Sequence, residues 1–171
     1  MMECNDNPSP DSTVRVLFVC LGNICRSPTA HGVLETLLQQ RGLSGRVAVD
    51  SCGTGHWHVG EAPDSRAARE AGKRGYDLSH LRARQLRAAD FERFDYILAM
   101  DHANLSALRA ACPPDYQGHL GLFLPFADGA VEEEVPDPYF GGDHGFSHVL
   151  DLVEAASEGL LREISSADTA R

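Results

Sequence analysis

A cysteine and an arginine, with five residues between them, form the stretch of this sequence that is best suited to chemistry. The stretch reads Cys20-Leu21-Gly22-Asn23-Ile24-Cys25-Arg26-Ser27-Pro28. It follows an apolar, β-branched run that is typical of a buried strand, and Ser27 and Pro28 are typical of a helix start. A loop between a strand and a helix can point its backbone N–H groups at an anion, because the helix N-terminus is partially positive. The stretch therefore predicts a phosphate-binding loop.

Four residues of this loop have the properties that such a site requires. Gly22 allows a positive φ, and Asn23 is a residue type that tolerates the left-handed region, so the chain can curl. The planar guanidinium of Arg26 matches two phosphate oxygens. In this positive field we expect the Cys20 thiol to ionise near neutral pH and to act as a nucleophile.

The same nine residues resemble the signature of the low-molecular-weight protein tyrosine phosphatases. The resemblance extends from about residue 14 to residue 161, and it includes the glycine-rich loop 53–60 and the segment 137–140. These two segments are most similar to bacterial members, particularly the secreted type known from mycobacteria. The resemblance implies hydrolysis of protein phosphotyrosine through a phosphocysteine intermediate, with no metal ion and no other cofactor.

The resemblance also implies roles for individual residues. Cys20 is the nucleophile, Arg26 binds the phosphate oxygens, and Asp137 is the general acid and then the base. Without the resemblance, an aspartate before a proline is equally consistent with a solvated turn. The implied phosphate-binding loop comprises Leu21, Gly22, Asn23, Ile24, Cys25 and Arg26.

Four positions match family residues that hold the loop in shape, namely Asn23, Ser27, Ser51 and His80. Ser27 is expected to cap the helix as well as to donate a hydrogen bond to the Cys20 thiolate. From its spacing alone, His80 fits a surface or core histidine better than a support for the loop. Asp101, after the third predicted strand, is a further supporting candidate.

Trp57 and Tyr139 are expected to form two walls of a deep slot, with His58 near its rim. We call this space the substrate slot. A flat aromatic ring fits between aromatic walls, and the depth would select phosphotyrosine over the shorter phosphoserine and phosphothreonine.

Cys25 is close enough in sequence to Cys20 to form a reversible disulfide with it. The sequence is equally consistent with Cys25 as a small buried residue that has no redox role. His31 stands where many relatives carry glutamate, a change that the sequence does not explain.

Composition limits the class of protein. A chain of 171 residues that is 43% hydrophobic is long enough for one domain with a full core. Its net charge of −10 disfavours a nucleic-acid partner. The chain shows neither an apolar run near the ~20 residues that span a bilayer nor a signal-peptide core, so we expect no membrane partner and a cytoplasmic location, with export by another route open. Five cysteines in a chain of this length indicate reduced thiols.

Strand and helix patterns alternate along the chain. Strands are predicted near 14–20, 46–51, 95–100 and 120–124, and helices near 27–41, 65–74, 102–111 and 146–164, with a further turn near 88–92. This alternation predicts an α/β fold, a single-domain doubly wound parallel sheet with helices on both faces. The resemblance implies four strands in the order 2-1-3-4, which places the Cys20 loop where open α/β sheets bind ligands.

We expect three segments: a disordered arm (1–12), the phosphatase domain (13–165) and a flexible tail (166–171). A monomer is expected, acting on phosphotyrosine-containing proteins that include a tyrosine kinase of the same cell.

Three other functions are open. Protein-arginine phosphatases tend to carry threonine where this chain has Ile24, and thioredoxin-coupled arsenate reductases need two further cysteines in a region that here contains only Cys112. A non-catalytic phosphotyrosine-binding module would need neither a nucleophile nor an acid.

Overall fold

The computed structural model describes residues 13–169, so the predicted arm 1–12 lies outside the described residues. Strands and helices alternate over most of this range. The strands are β1 (Val14–Cys20), β2 (Val47–Gly53), β3 (Tyr96–Ala99) and β4 (His119–Leu122). The helices are α1 (Arg26–Gln40), α2 (Ser65–Lys73), α3 (Asp90–Arg93), α4 (His102–Ala111) and α5 (Asp143–Thr169), and a 3₁₀ turn spans Leu124–Phe126.

The four strands form one parallel sheet in the order β2-β1-β3-β4, which confirms the predicted topology. In the β1–β2 pair, Val14 lies opposite Val47, and Cys20 lies opposite Gly53. Strand β1 is therefore interior, and the direction of winding reverses beside it. The residues that follow Cys20 leave the sheet at this point, where doubly wound sheets bind their ligands.

Strand β1 is apolar at successive positions because both of its faces are covered. Val16 and Phe18 point into a core cluster that α1 and α5 complete, and the Phe18 ring meets the Phe123 ring edge-on. Leu17 and Val19 point the other way, into a cluster that includes residues of α3 and α4. All four β1 side chains are fully buried. Helices therefore cover both faces of the sheet, as the sequence predicts.

The last helix is longer than its apolar pattern indicates. Helix α5 ends at Thr169, so residues 166–169, which were expected to be a flexible tail, are helical. Inward-facing apolar residues mark only the part of a helix that packs on the sheet, and residues 165–169 include no glycine or proline to end it. Among the helices within residues 13–169, none combines the length and apolar character needed to cross a membrane.

Helix α5 also lies close to the 3₁₀ turn at one glycine. A Cβ at Gly159 would lie 1.7 Å from the carbonyl oxygen of Phe126, a backbone atom that cannot easily move. By contrast, a Cβ at Gly72 in α2 would meet nothing within 4 Å. The first glycine is required by packing, whereas the second only weakens its helix.

Gly159→Ala and Gly72→Ala should therefore change stability in opposite directions. Overpacking costs about 1–3 kcal/mol, so Gly159→Ala should lower Tm by roughly 3–10 °C. Gly72→Ala should raise Tm by about 1–4 °C, because alanine is the better helix former. Thermal unfolding followed by circular dichroism measures both, and a Gly159→Ala protein as stable as wild type would show that α5 is free to move outward.

Candidate active site

The phosphate-binding loop closes around the sulfur of Cys20, which is buried at the end of β1. The backbone N–H of Asn23 donates to this sulfur over 3.3 Å, and the Ser27 hydroxyl oxygen lies 3.0 Å from it. The Asn23 side-chain amide donates to the same hydroxyl oxygen at 2.8 Å, so the hydroxyl proton is free for another acceptor. Cys20 is a nearer acceptor than the Cys52 carbonyl oxygen at 3.4 Å. Two groups that can donate a hydrogen bond thus face the sulfur.

Asn23 holds the curled backbone of this loop. Its φ is +58°, and within residues 13–169 it is the only residue other than glycine with a positive φ. Its side-chain oxygen accepts from the backbone N–H of Arg84 at 3.0 Å, so both ends of the amide are bonded. The prediction for Gly22 is corrected, because its φ is not positive. Gly22 instead provides space: a Cβ there would lie 3.0 Å from the His58 ring.

The glycine-rich loop after β2 supports the phosphate-binding loop through its backbone. The N–H of Thr54 donates to the Cys20 carbonyl, and that of Gly55 to the Leu21 carbonyl, both at 2.9 Å. A Cβ at Gly53 would lie 2.7 Å from the Leu21 oxygen. Only glycine therefore permits so close an approach of the two chains.

Arg26 is 3% exposed and is held by partners from two other segments. One terminal nitrogen, Nη1, donates to Asp101 at 2.7 Å and to the Val135 carbonyl at 3.0 Å. The other, Nη2, lies 3.7 Å from a carboxylate oxygen of Asp137. Burial acts to lower the pKa of Arg26, but Cys20 and Asp101 outweigh it and raise that pKa. Asp101, a supporting candidate in the sequence, thus orients the buried guanidinium.

Ser27 is not the helix cap that the sequence predicts. Helix α1 begins at Arg26 with Cys25 as its N-cap residue, and no side-chain cap bond is formed there. The Ser27 hydroxyl lies inside the first turn and faces Cys20 instead.

Burial, with a smaller contribution from Asp64, raises the pKa of the Cys25 thiol to about 12. Cys25 therefore remains protonated at neutral pH.

Asp137 is both a turn residue and a cavity residue, so the two interpretations of the sequence describe the same side chain. Its Oδ1 accepts from the Tyr139 N–H at 3.1 Å, the pattern of a turn begun by aspartate. Its Oδ2 faces Arg26, and its side chain is 43% exposed. The carboxyl group thus has access to both solvent and the cavity.

One cavity of about 180 Å³ joins most of the residues named so far. Its inner residues, Cys20 and Arg26, are nearly buried, whereas Trp57 is 63% exposed. The Trp57 ring stacks on His56 at 5.5 Å and covers Gly55, where a Cβ would overlap it. The cavity therefore runs from an aromatic mouth to the sulfur. Its lining comprises Cys20, Leu21, Gly22, Ile24, Cys25, Arg26, Trp57, His58, Asp137, Tyr139 and Phe140.

His80 and Ser51, both expected to support the loop, lie at opposite ends of a chain of polar contacts. His80 is half exposed, and its Nε2 lies 2.7 Å from an oxygen of Glu35. The other Glu35 oxygen lies 3.7 Å from His31, whose Nδ1 lies 3.0 Å from the Ser51 hydroxyl. His80 is thus connected to Ser51 indirectly, through Glu35 and His31, and its support of the loop stays a prediction. His31 and Glu35 are four residues apart in α1, and this spacing in the sequence indicates that they share one face of the helix.

Arg84 is a site residue that the sequence reasoning missed. Its guanidinium makes a two-point contact with Asp90, which is fully buried, and a further contact with Asp50. These contacts fix the backbone N–H that bonds to Asn23. The sequence has arginines at positions 82, 84 and 87, but it does not indicate which of them has an acidic partner, and Asp50 is 34 residues away from Arg84.

A buried cysteine in a loop of inward-facing donors, with an arginine and a carboxyl group on the same cavity, defines the class of cysteine-dependent phosphatases. Comparison with known proteins agrees with this class. The family model of low molecular weight phosphotyrosine protein phosphatases matches residues 15–170. This chain belongs to that family, whose members are hydrolases with a cysteine-based mechanism.

Individual relatives match over nearly their whole length. A low molecular weight protein-tyrosine-phosphatase of Streptomyces coelicolor is 44% identical over 155 residues, which cover 89% of this chain and 94% of the relative. The crystal structure of a protein tyrosine phosphatase from Entamoeba histolytica, with Hepes in its active site, superposes with a TM-score of 0.87 at 38% identity, covering 91% of this chain and 99% of that one. A structure described as a Drosophila arginine phosphatase has a TM-score of 0.81 at 34% identity, covering 87% and 96%.

The contacts of Glu35 predict a pH-dependent stability. The contact with His31 lowers the pKa of Glu35, burial opposes this, and the His80 hydrogen bond lowers it further. Because the folded-state pKa is the lower one, the stabilisation is complete above the unfolded value of about 4.3 and is lost as pH falls through the folded value. Glu35→Gln should lower Tm by up to about 4 °C at pH 6.

The same substitution should cost progressively less as pH falls below about 4.3 towards pH 3, because the Glu35 carboxylate of the wild type becomes protonated and approaches the neutral glutamine. Differential scanning calorimetry across this range measures the two Tm values. A Tm difference that is constant from pH 6 to pH 3 would mean that shape, and not charge, determines the effect of Glu35→Gln.

Proposed function

We propose that this protein hydrolyses phosphotyrosine in proteins, with Cys20 as nucleophile, Arg26 as phosphate ligand and Asp137 as general acid and base. One observation carries the proposal: these three residues line a single cavity whose inner end is the Cys20 sulfur. A site that only bound phosphotyrosine would not need a sulfur with two donors or a carboxyl group beside Arg26.

In the first step the Cys20 thiolate attacks phosphorus opposite the tyrosine oxygen. The S–P bond forms as the P–O bond to the ring breaks, and the departing phenolate takes the proton of the Asp137 carboxyl group. Loop N–H groups and the Arg26 guanidinium hold the remaining phosphate oxygens, where the transition-state charge lies. Ser27 and the Asn23 N–H stabilise the sulfur before attack and after its release.

In the second step Asp137, now a carboxylate, takes a proton from water. The resulting hydroxide attacks phosphorus, the S–P bond breaks, and Cys20 returns to the thiolate as inorganic phosphate leaves. Asp137 regains the proton that it needs for the next turnover. The exposure of its side chain supports this assignment, because the water must approach from the mouth of the cavity.

The aromatic mouth supports phosphotyrosine as the substrate. Trp57 and Tyr139 line the cavity beyond the loop, with His58 beside them and hydrogen-bonded to Glu61 at 3.0 Å. A phenyl ring can pack between these walls while its phosphate reaches the sulfur. The hydroxyl oxygens of phosphoserine and phosphothreonine are attached too close to the backbone for an equal reach.

Phosphoarginine is the second candidate substrate, because the Drosophila structure with the same fold is described as an arginine phosphatase. Its long side chain could enter the same cavity. Ile24 lines that cavity and is 8% exposed, so it offers an apolar surface, which suits a phenyl ring better than a charged guanidinium.

The remaining proposals concern the setting of the enzyme. We propose that residues 13–165 suffice for the reaction, and that the protein acts as a cytoplasmic monomer, with export by another route open. Phosphotyrosine-containing proteins, including a tyrosine kinase of the same cell, are the proposed partners. Cys25 lines the same cavity as Cys20, which supports a reversible disulfide between them under oxidation.

The first experiment compares phosphate release from matched phosphotyrosine, phosphoserine and phosphoarginine peptides in excess EDTA. We expect release from phosphotyrosine to exceed the others by at least about tenfold. Cys20→Ser, a nearly isosteric control, should abolish release while it still binds vanadate. Preference for phosphoarginine would replace the substrate assignment, and a Cys20→Ser protein with the wild-type rate would contradict the mechanism itself.

Asp137→Asn should slow the reaction according to the leaving group. The ratio kcat/KM reports the steps up to the phosphocysteine, in which the acid protonates the departing oxygen. With phenyl phosphate, a poor leaving group, kcat/KM should fall by about 10²–10⁴-fold. With p-nitrophenyl phosphate, whose leaving group needs less protonation, the fall should be at least tenfold smaller. Equal losses for the two substrates would remove the acid role from Asp137.

A further inference from the structure

An arginine outside the phosphate-binding loop contacts the segment that carries Asp137. We call residues 135–141 the acid loop. Arg66, in the first turn of α2, donates from Nη2 to the Tyr139 carbonyl at 2.9 Å, and its Nη1 lies 3.5 Å from the Gly141 carbonyl. Its guanidinium carbon lies 5.5 Å from the centre of the Tyr139 ring and 4.7 Å from that of Phe146. One side chain therefore holds both the backbone and a ring of the acid loop.

Arg66 is itself fixed by Asp64. Its Nε donates to one carboxylate oxygen at 3.1 Å, and its Nη2 to the other at 3.0 Å, which is a two-point contact. Asp64 also caps α2 through the Arg66 N–H. The backbone N–H of Asp64 donates to the Ile24 carbonyl of the phosphate-binding loop at 2.8 Å. A continuous series of contacts thus runs from that loop through Asp64 and Arg66 to the acid loop.

We propose that Arg66 is a positioning residue, which sets the place of the Asp137 carboxyl group relative to the Cys20 sulfur. The proposal rests on the proposed role of Asp137. The link is short: Arg66 holds the Tyr139 carbonyl, and the Tyr139 N–H donates to the Asp137 carboxylate. Release of the carbonyl frees the turn that aims the acid, and a displacement near 1 Å is enough to impair proton transfer to the leaving group.

The positioning depends on the shape of the guanidinium as well as on its charge. A lysine ammonium is a point charge that cannot contact both oxygens of Asp64 while it donates to a carbonyl and packs on two rings. Arg66→Lys should therefore resemble Arg66→Gln and not wild type. Restoration of the wild-type rate by lysine would mean that charge alone acts at this position.

The test measures kcat/KM with phenyl phosphate and with p-nitrophenyl phosphate. Arg66→Gln should lower the value about 10- to 100-fold for phenyl phosphate and less than about threefold for p-nitrophenyl phosphate. Arg74→Gln is the matched control, because Arg74 is the C-cap residue of the same helix and pairs with Asp151 and Glu154 of α5. It should leave the ratio between the two substrates unchanged, even where Tm falls.

A double variant separates positioning from general loosening of the structure. If Arg66 acts through Asp137, adding Arg66→Gln to Asp137→Asn should produce no further dependence on the leaving group. Equal losses on both substrates, or losses that simply add in the double variant, would overturn the proposal for Arg66. Absence of leaving-group dependence in Asp137→Asn alone would instead contradict the proposed function, so the two failures are distinguishable.

Discussion

The shape of the phosphate-binding loop depends on the side-chain amide of Asn23. The amide accepts from the Arg84 backbone and donates to the Ser27 hydroxyl, and these two bonds compensate for a backbone in the left-handed region. Because the Ser27 oxygen accepts this bond and lies 3.0 Å from the Cys20 sulfur, its own proton is available to that sulfur. The orientation of one amide thus determines whether the nucleophile has a hydroxyl donor.

This constraint extends across the sheet. Arg84 is held by the buried carboxylate of Asp90 and by Asp50 in β2, so the N–H that it presents to Asn23 has a fixed place. A buried charge pair is a weak source of net stability but a strong determinant of geometry. Here the Arg84–Asp90 pair serves to fix the geometry of the loop. The inner end of the cavity is consequently held by buried contacts, whereas Trp57 and Phe140 at its mouth are largely exposed and contact solvent.

Local sequence patterns predicted the fold well because the sheet is buried on both faces. Strand β1 and helix α4 begin and end where apolar periodicity, a proline stop and β-branched residues indicate, and the strand order followed from the family resemblance. The end of α5 was predicted five residues too early, because apolar periodicity ends where packing ends. The residue type of Asn23 correctly indicated a left-handed backbone conformation. Gly22, by contrast, has no positive φ, and a side chain there would crowd the His58 ring, so this glycine is required for space alone.

The polar contacts of the site were less predictable because they join residues that are distant in sequence. Arg26 and Asp101 are 75 positions apart, and Asn23 and Arg84 are 61 apart. A motif reveals which residues carry chemistry, but it does not reveal which partner orients them. Ser27 and His80 illustrate the point: Ser27 faces Cys20 as expected but does not cap its helix, and no motif indicates that His80 contacts Glu35.

The attachment of Val135 has a consequence for how far the acid can travel. Its N–H donates to the Met100 carbonyl at 2.8 Å, and its own carbonyl accepts from the buried Arg26. Two residues of extended chain reach at most about 7 Å, so Asp137 swings on a short tether from the end of the sheet. On the other side of Asp137, Arg66 holds the Tyr139 carbonyl, so the segment is anchored at both ends. Movement of the proposed acid is therefore restricted to the few ångströms that these two attachments allow.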